Sequence, residues 1–169
     1  MGARIALSRI EDCKRVSAIG RPRREPVSAA PLTILVAESD PADALLLEQG
    51  FFCAGVHSPV TFVDDGQEAM DYLRGAPPFQ NRAAHPLPSL LVMELNLPRR
   101  SGYDVLKWLQ CQPPAHRMLI VVLSSCSRPE DIDRAYALGA DAYVLKPADA
   151  GELTDVARHL KNYWLETNA

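Results

Sequence analysis

The sequence predicts an α/β fold, a doubly wound five-stranded parallel sheet with helices on both of its faces. Five short apolar runs alternate with five helix-like segments between residues 33 and 165, and this alternation is typical of βαβ units. The apolar runs also lack the alternation of polar and apolar residues that a half-exposed strand shows. Burial on both faces, as in a covered parallel sheet, explains that pattern.

The five predicted strands are short and almost wholly apolar. The first reads TILVA from Thr33 to Ala37, and the fourth reads MLIVVL across residues 118–123. The other three are residues 60–63, 90–93 and 142–145. Residues 75–88, GAPPFQNRAAHPLP, are predicted to form a Pro-rich surface loop before the third strand.

The five predicted helices have well-marked starts. They span residues 41–54, 66–74, 102–110, 128–138 and 150–165. Asp40 precedes Pro41, which suits the first helical position, so we predict that Asp40 is the N-cap of the first helix. Ser101 with Asp104 is a weaker cap signal at the third helix. Full capping-box spacing marks the other three starts: Asp65 with Glu68, Ser127 with Glu130, and Asp149 with Glu152.

Composition and charge divide the chain into a tail and one domain. The chain has 169 residues, of which 47% are hydrophobic, enough for one well-packed domain. Residues 1–31 carry a balance of +4 and three prolines, whereas residues 32–169 carry a balance of −7. We therefore predict a disordered basic tail at residues 1–31 and one domain over residues 32–169. The tail is either an inert extension, an over-long predicted start or a basic docking arm.

Nucleic-acid binding, membrane insertion and export are not expected. An acidic domain does not suit a polyanion, and no apolar run approaches the 18 or more residues of a membrane span. The four cysteines form no C-x-x-C pair, which favours reduced thiols in a cytoplasmic protein over a zinc or redox site. They are Cys13, Cys53, Cys111 and Cys126.

Polar residues follow four of the five predicted strands. In a doubly wound sheet, ligands bind beyond the carboxyl ends of the strands, so a carboxylate pair, a hydroxyl and an ammonium should meet at one edge. The residues are Glu38, Ser39 and Asp40 after the first strand, Glu94 and Asn96 after the third, Ser124 and Ser125 after the fourth, and Lys146 and Pro147 after the fifth.

These residues lie in stretches that resemble the receiver domain of two-component response regulators. The stretches are ILVAESDPAD, DDGQEAMDYL, LNLPRRSGYDVL, VVLSS, AYALGADAYVLKP and the Pro-rich loop. The chain is most similar to single-domain regulators that pair with phytochrome-like histidine kinases. The resemblance implies the flavodoxin-like receiver fold, with strand order 2-1-3-4-5, and a role in cytoplasmic phosphorelay signal transduction.

The resemblance also assigns roles to residues. In this family an Asp after the third strand accepts the phosphoryl group, and that position holds Glu94. Mg²⁺ lies between this residue, an acidic pair after the first strand and the carbonyl two residues further on, which here implies Glu38, Glu94 and Asn96. Ser124 and Lys146 match the residues that hold the phosphoryl group, and Tyr143 matches the aromatic switch.

Two positions depart from the family pattern. Glu94 replaces the phosphoacceptor Asp, and Ser39 replaces one acid of the metal-binding pair. The extra methylene displaces the carboxylate by about 1.5 Å, and a shift of about 1 Å can cost about a hundredfold in rate. We therefore expect no phosphorylation of Glu94 and only weak Mg²⁺ binding. Asp40 is a poor replacement for the missing acid if it caps the helix.

We expect an atypical receiver domain that acts as a phosphorylation-independent protein-interaction module and has no catalytic residues. Glu94 would imitate phospho-aspartate by pairing with Lys146 and drawing on Ser124. The alternatives are a passive Glu94 neutralised by Lys146, a Ser124 that bonds only to backbone, and a Tyr143 that is plain core. Partners would be a histidine kinase or another signalling protein, or a second copy bound through the fourth helix, fifth strand and fifth helix.

Two rival functions stay open at this point. The first is a conventional receiver that accepts phosphate in a histidine-kinase relay. The second is a flavodoxin-like nucleotide-binding enzyme, which would need a Gly-rich phosphate loop after the first strand. The sequence there, ESDPAD, contains no glycine, so the enzyme is the more remote alternative.

Overall fold

Five strands alternate with five helices in residues 32–112, 118–147 and 149–168, which the computed structural model of the chain describes. The strands are β1 (Ile34–Ala37), β2 (Val60–Val63), β3 (Leu90–Met93), β4 (Leu119–Ser124) and β5 (Ala142–Leu145). The helices are α1 (Pro41–Cys53), α2 (Gly66–Arg74), α3 (Gly102–Gln110), α4 (Pro129–Ala137) and α5 (Ala150–Asn168). The predicted tail at residues 1–31 lies outside the described residues.

All neighbouring strands are parallel, in the order β2-β1-β3-β4-β5. This order confirms the predicted doubly wound, flavodoxin-like sheet. The order in which successive strands are added to the sheet reverses at the boundary between β1 and β3, where Ala37 pairs with Met93. The residues that follow these two strands therefore lie side by side at the carboxyl edge. Ser124 pairs with Leu145 in the same way at the β4–β5 end.

Each face of the sheet carries its own hydrophobic core, which explains why the strands read as continuous apolar runs. Alternate strand residues point to opposite faces. The first core lies under α2, α3 and α4 and includes Leu91, Met93 and Tyr143. The second lies under α1 and α5 and includes Val92 and Val144. No helix among the described residues combines the length and apolarity needed to cross a membrane.

The helix starts agree with the predicted caps at most positions. The Asp40 side chain accepts from the backbone N–H groups of Ala42 and Asp43, so it is the N-cap of α1 as predicted. Asp65 accepts from the Glu68 N–H at 2.7 Å. The signal at α3, predicted as a weaker one, is a complete reciprocal capping box of Ser101 and Asp104.

The predicted cap at Ser127 and Glu130 is wrong. Helix α4 begins at Pro129, with Arg128 at the N-cap position and no side-chain hydrogen bond to the helix end. Proline has the backbone angle of a helix and no N–H to satisfy, which suits the first helical position. It therefore starts α4 one residue later than a cap at Ser127 requires.

Candidate functional site

The Lys146 ammonium is the centre of a buried ionic cluster at the carboxyl edge of the sheet. Its Nζ lies 2.6 Å from Glu38 Oε2, 2.9 Å from Asp43 Oδ2 and 3.1 Å from Glu94 Oε2. Glu38 and Glu94 are buried, whereas the Asp43 side chain is 29% exposed. One cation therefore joins carboxylates from three separate segments of the chain.

Strand periodicity explains why these groups meet. Glu38, Glu94 and Lys146 each stand at the first position after a strand. In each strand, the residue two positions earlier packs in the core under α1 and α5. Residues two apart along a strand lie on the same face, so Glu38, Glu94 and Lys146 all point to that side of the sheet. Those earlier residues are Val36, Val92 and Val144. Asp43 joins them because it belongs to the first turn of α1, which starts beside the same edge.

Both carboxylate oxygens of each glutamate have a hydrogen-bonding or charged partner. Glu38 Oε1 accepts from the Asp40 N–H at 3.0 Å. Glu94 Oε1 accepts from the N–H groups of Leu95 at 2.6 Å and Asn96 at 3.3 Å. The other oxygen of each glutamate faces the ammonium. Within the part of the chain that the structure describes, each oxygen of the two glutamates therefore has a partner.

The electrostatics of the cluster favour a charged lysine. Burial alone would lower the pKa of Lys146, but its bonds to Glu38 and Asp43 outweigh burial and hold the pKa above its usual value. Burial raises the pKa of Glu38, against the opposing effect of its bonds to Lys146 and to the Asp40 N–H. The 2.6 Å contact between Glu38 and the ammonium is nevertheless typical of a charge-assisted hydrogen bond.

Ser124 does not bond to Glu94, although the interpretation of Glu94 as an imitation of phospho-aspartate predicted that it would. Its side chain is fully buried, and its Oγ accepts from the Cys126 N–H at 3.3 Å. The described residues include no hydrogen bond between Ser124 and Glu94. The reason is register, because Ser124 shares a face with Val122, which packs in the core under α2, α3 and α4. Its Oγ therefore bonds to backbone at the edge of the sheet.

Tyr143 points away from Lys146, because positions an odd number apart along a strand lie on opposite faces of the sheet. Its ring is fully buried in the core under α2, α3 and α4, and its phenol donates to the Cys126 carbonyl at 2.8 Å. Burial raises the pKa of Tyr143 to about 12, so the phenol stays protonated and able to donate. The ring is thus directed into the core, on the face of the sheet opposite Lys146.

The oxygens that the resemblance implies for a divalent ion already have other partners. An open cleft of about 560 Å³ lies over the cluster, and Ser39, Asp40 and Asn96 line it. Ser39 supplies no charge, and Asp40 is engaged as the helix cap. The oxygens of Glu38 and Glu94 are already paired, so an ion would have to displace the ammonium. Sequence reasoning missed Asp43, whose place in the first helical turn was the available signal.

A second acidic group lies away from this cleft. Carboxylate oxygens of Asp64, Asp65 and Glu68 come within 4.8 Å of one another. The Arg99 guanidinium binds Asp65 Oδ2 through its Nε at 2.7 Å and also through Nη2. This pair and the capping bond to Glu68 hold the pKa of Asp65 below its usual value despite burial. Asp65 therefore already has an internal cation and a structural role.

Comparison with known proteins places this architecture in a family. The model of the response regulator receiver domain matches residues 34–158. Response regulator Rcp1 of Synechocystis sp. is 28% identical over 140 residues, which cover 83% of this chain and 93% of that protein.

Solved structures give the same result. The phosphorylated cyanobacterial phytochrome response regulator RcpA is 31% identical, with a TM-score of 0.75 over 83% of this chain and 98% of that one. The Mn²⁺-bound form of Rcp1 is 28% identical, with a TM-score of 0.73 over 81% and 96% of the two chains. The predicted resemblance is confirmed, and the chain belongs to the response regulator receiver domain family of two-component signalling.

Proposed function

We propose that this receiver domain acts as a protein-interaction module that takes no phosphoryl group. The observation that carries the proposal is the state of the Glu94 carboxylate. One oxygen accepts from two backbone N–H groups, and the other lies 3.1 Å from the Lys146 ammonium. An oxygen of this carboxylate would have to attack a phosphorus atom while it remains bonded to a donor or paired with the ammonium, which makes it a weaker nucleophile than a free oxygen.

The environment of Glu94 supports the same conclusion. Phosphoryl transfer depends on positioning and on neutralisation of the charge that develops on the phosphoryl oxygens. Here the longer side chain carries its carboxylate directly to Lys146, the residue that the family uses for the phosphoryl group. Ser39 supplies no charge for a metal ion that would assist the transfer. Mg²⁺ binding is accordingly weak and not needed for the proposed role.

Glu94 instead supplies a permanent negative charge at the phosphoryl position. It brings one charge toward Lys146, where a phosphoryl group would bring more charge and three acceptor oxygens, so the imitation is partial. The inward Tyr143 ring is the arrangement expected if this charge biases the domain toward its active form. The size of the bias is limited to the difference in contacts between the two forms.

The output of such a domain passes through its surface and not through catalysis. A histidine kinase or another signalling protein of the cytoplasm is the proposed partner, as receiver domains bind such proteins. The proposed contact face is formed by α4, β5 and α5, because Tyr143 links β5 to the segment before α4. A second copy of this chain can use the same face.

Intact mass after incubation with acetyl phosphate and Mg²⁺ tests the proposal. We expect no mass gain for the native chain. The double variant Glu94→Asp with Ser39→Asp restores both family acids and should gain one phosphate, which makes it the positive control. A single phosphate on the native chain that disappears in Glu94→Gln would overturn the proposal and support a conventional phosphoaccepting receiver.

A further inference from the structure

We infer that Lys146 is the resident cation of this site, held by Glu38, Asp43 and Glu94, and that it excludes divalent ions from the cleft. The inference deepens the proposed function and rests on it. It adds a third carboxylate, that of Asp43, and it names the group that any metal ion must displace.

Three carboxylates surround the ammonium. A lysine ammonium has three N–H donors and no acceptor. Three carboxylate oxygens lie at 2.6, 2.9 and 3.1 Å from Nζ, each from a different residue. The lysine side chain is only 12% exposed, so water contributes little to its solvation. The three residues therefore serve as its coordination shell.

Asp43 links the cluster to helix α1. Its Oδ2 both pairs with and accepts a hydrogen bond from Lys146 at 2.9 Å, although the two residues are 103 positions apart in the chain. The carboxylate thus closes the cluster on the helix side, while Glu38 and Glu94 close it from the sheet. Removing Asp43 should loosen the lysine without touching either glutamate.

A divalent ion competes with the lysine for the same oxygens. Mg²⁺ requires near-octahedral geometry and usually binds through one or two protein carboxylates and several waters. Those carboxylates here already pair with an ammonium, which offsets part of their negative charge. A tethered ammonium also loses no translational freedom on pairing, whereas a free ion does. The internal cation therefore has the advantage while Lys146 is present.

Removal of the ammonium should open the site to metal. We would titrate Mn²⁺ by its electron paramagnetic resonance signal into full-length native protein and into Lys146→Met. The native chain should bind Mn²⁺ weakly, and Lys146→Met should bind it at least about tenfold more tightly than the native chain does. Adding Asp43→Asn to Lys146→Met should remove much of that gain. Thermal unfolding with and without Mn²⁺ gives a second readout.

Lys161→Met is the matched control. Lys161 also has a short hydrogen bond, from its Nζ to the Ala54 carbonyl at 2.6 Å, and among the described residues it forms no ion pair with a carboxylate. It should behave as the native chain toward Mn²⁺. If Lys146→Met folds only when Mn²⁺ is present, that dependence supports the inference, and if it fails to fold at all, Lys146→Gln takes its place.

Two results would overturn the inference. One is Mn²⁺ binding by the native chain as tight as that of the lysine variant, and the other is a folded lysine variant that gains no Mn²⁺ binding. Neither result depends on whether the chain gains the mass of a phosphate. A native chain that takes phosphate instead overturns the proposed function, so the two failures are distinguishable.

Discussion

The Tyr143 phenol donates a 2.8 Å hydrogen bond to the backbone carbonyl of Cys126. The Cys126 N–H in turn donates to Ser124 Oγ at 3.3 Å. Both backbone polar groups of this loop residue are therefore held by side chains from β4 and β5. The segment between β4 and α4 is tied to the sheet on the face that lies opposite Lys146.

Removal of this phenol should loosen the segment before α4. Tyr143→Phe keeps the buried ring and deletes one hydrogen bond, which leaves the Cys126 carbonyl without its donor. We expect the free energy of unfolding to fall by about 1 kcal/mol, measured by urea unfolding. Amide hydrogen exchange over residues 125–128 should speed up. An unchanged exchange rate there would show that the bond does not hold the segment.

Gly50 allows α1 to lie directly against α5. A Cβ at this position would stand 2.4 Å from the Thr154 carbonyl oxygen and 2.7 Å from the Ala157 Cβ. Gly50→Ala should therefore push the helices apart and lower the free energy of unfolding by about 1–3 kcal/mol. Gly151→Ala is the control, because its Cβ would meet only the Asp149 side chain, at 3.2 Å. Equal stability of the two variants in urea would contradict this close packing.

The sequence was sufficient to predict most element boundaries, for a physical reason. Helices α2 and α3 and strands β2, β3 and β5 have the predicted limits, because caps, glycines and strand-end polar residues mark them locally. The start of α4 was missed because two start signals competed and Pro129 prevailed. Helix α5 runs to Asn168, beyond the predicted residue 165, where the sequence offers neither glycine nor proline to end it.

The site was less fully predictable than the fold. Strand ends place Glu38, Glu94 and Lys146 at one edge, and the structure brings them together as that reasoning predicted. Asp43 has a local signal, its place in the first turn of α1, but its distance to Lys146 depends on how α1 lies over the edge. The orientation of Ser124 depends on strand register, since a shift of one residue changes the face. The sequence therefore could not predict the distances between side chains on different elements.

Asp131 should make part of the free energy of unfolding depend on pH in the acidic range. Hydrogen bonds from the Cys126 thiol, the Tyr103 phenol and the Arg128 guanidinium lower the pKa of Asp131 to about 2. The ordinary value in an unfolded chain is about 3.9. A lowered pKa stabilises the folded chain above the unfolded value, and this contribution disappears as the pH falls through the folded value.

Asp131→Asn tests this contribution. The native chain should exceed the variant in free energy of unfolding by a constant amount above about pH 5, and the difference should shrink as the pH falls toward 2. Urea unfolding across that range measures it. Asp155→Asn is the control, because its ion pair with Arg158 is about half exposed and such pairs contribute little. A native advantage that stays constant down to pH 2 would contradict the assignment.

Glu94→Gln should weaken any complex formed on the face of α4, β5 and α5. The amide keeps the shape of the side chain but removes the charge that faces Lys146, which follows β5 directly. If this charge biases the domain, the Tyr143 ring should turn outward and binding of the kinase or of a second copy should weaken by about 1–3 kcal/mol. Sedimentation velocity and a crystal structure of the variant measure the two effects.

Glu48→Gln, on the exposed side of α1, is the control. Unchanged association in both Glu94→Gln and Lys146→Ala would mean that the ionic cluster is uncoupled from the surface and that the domain is a static scaffold.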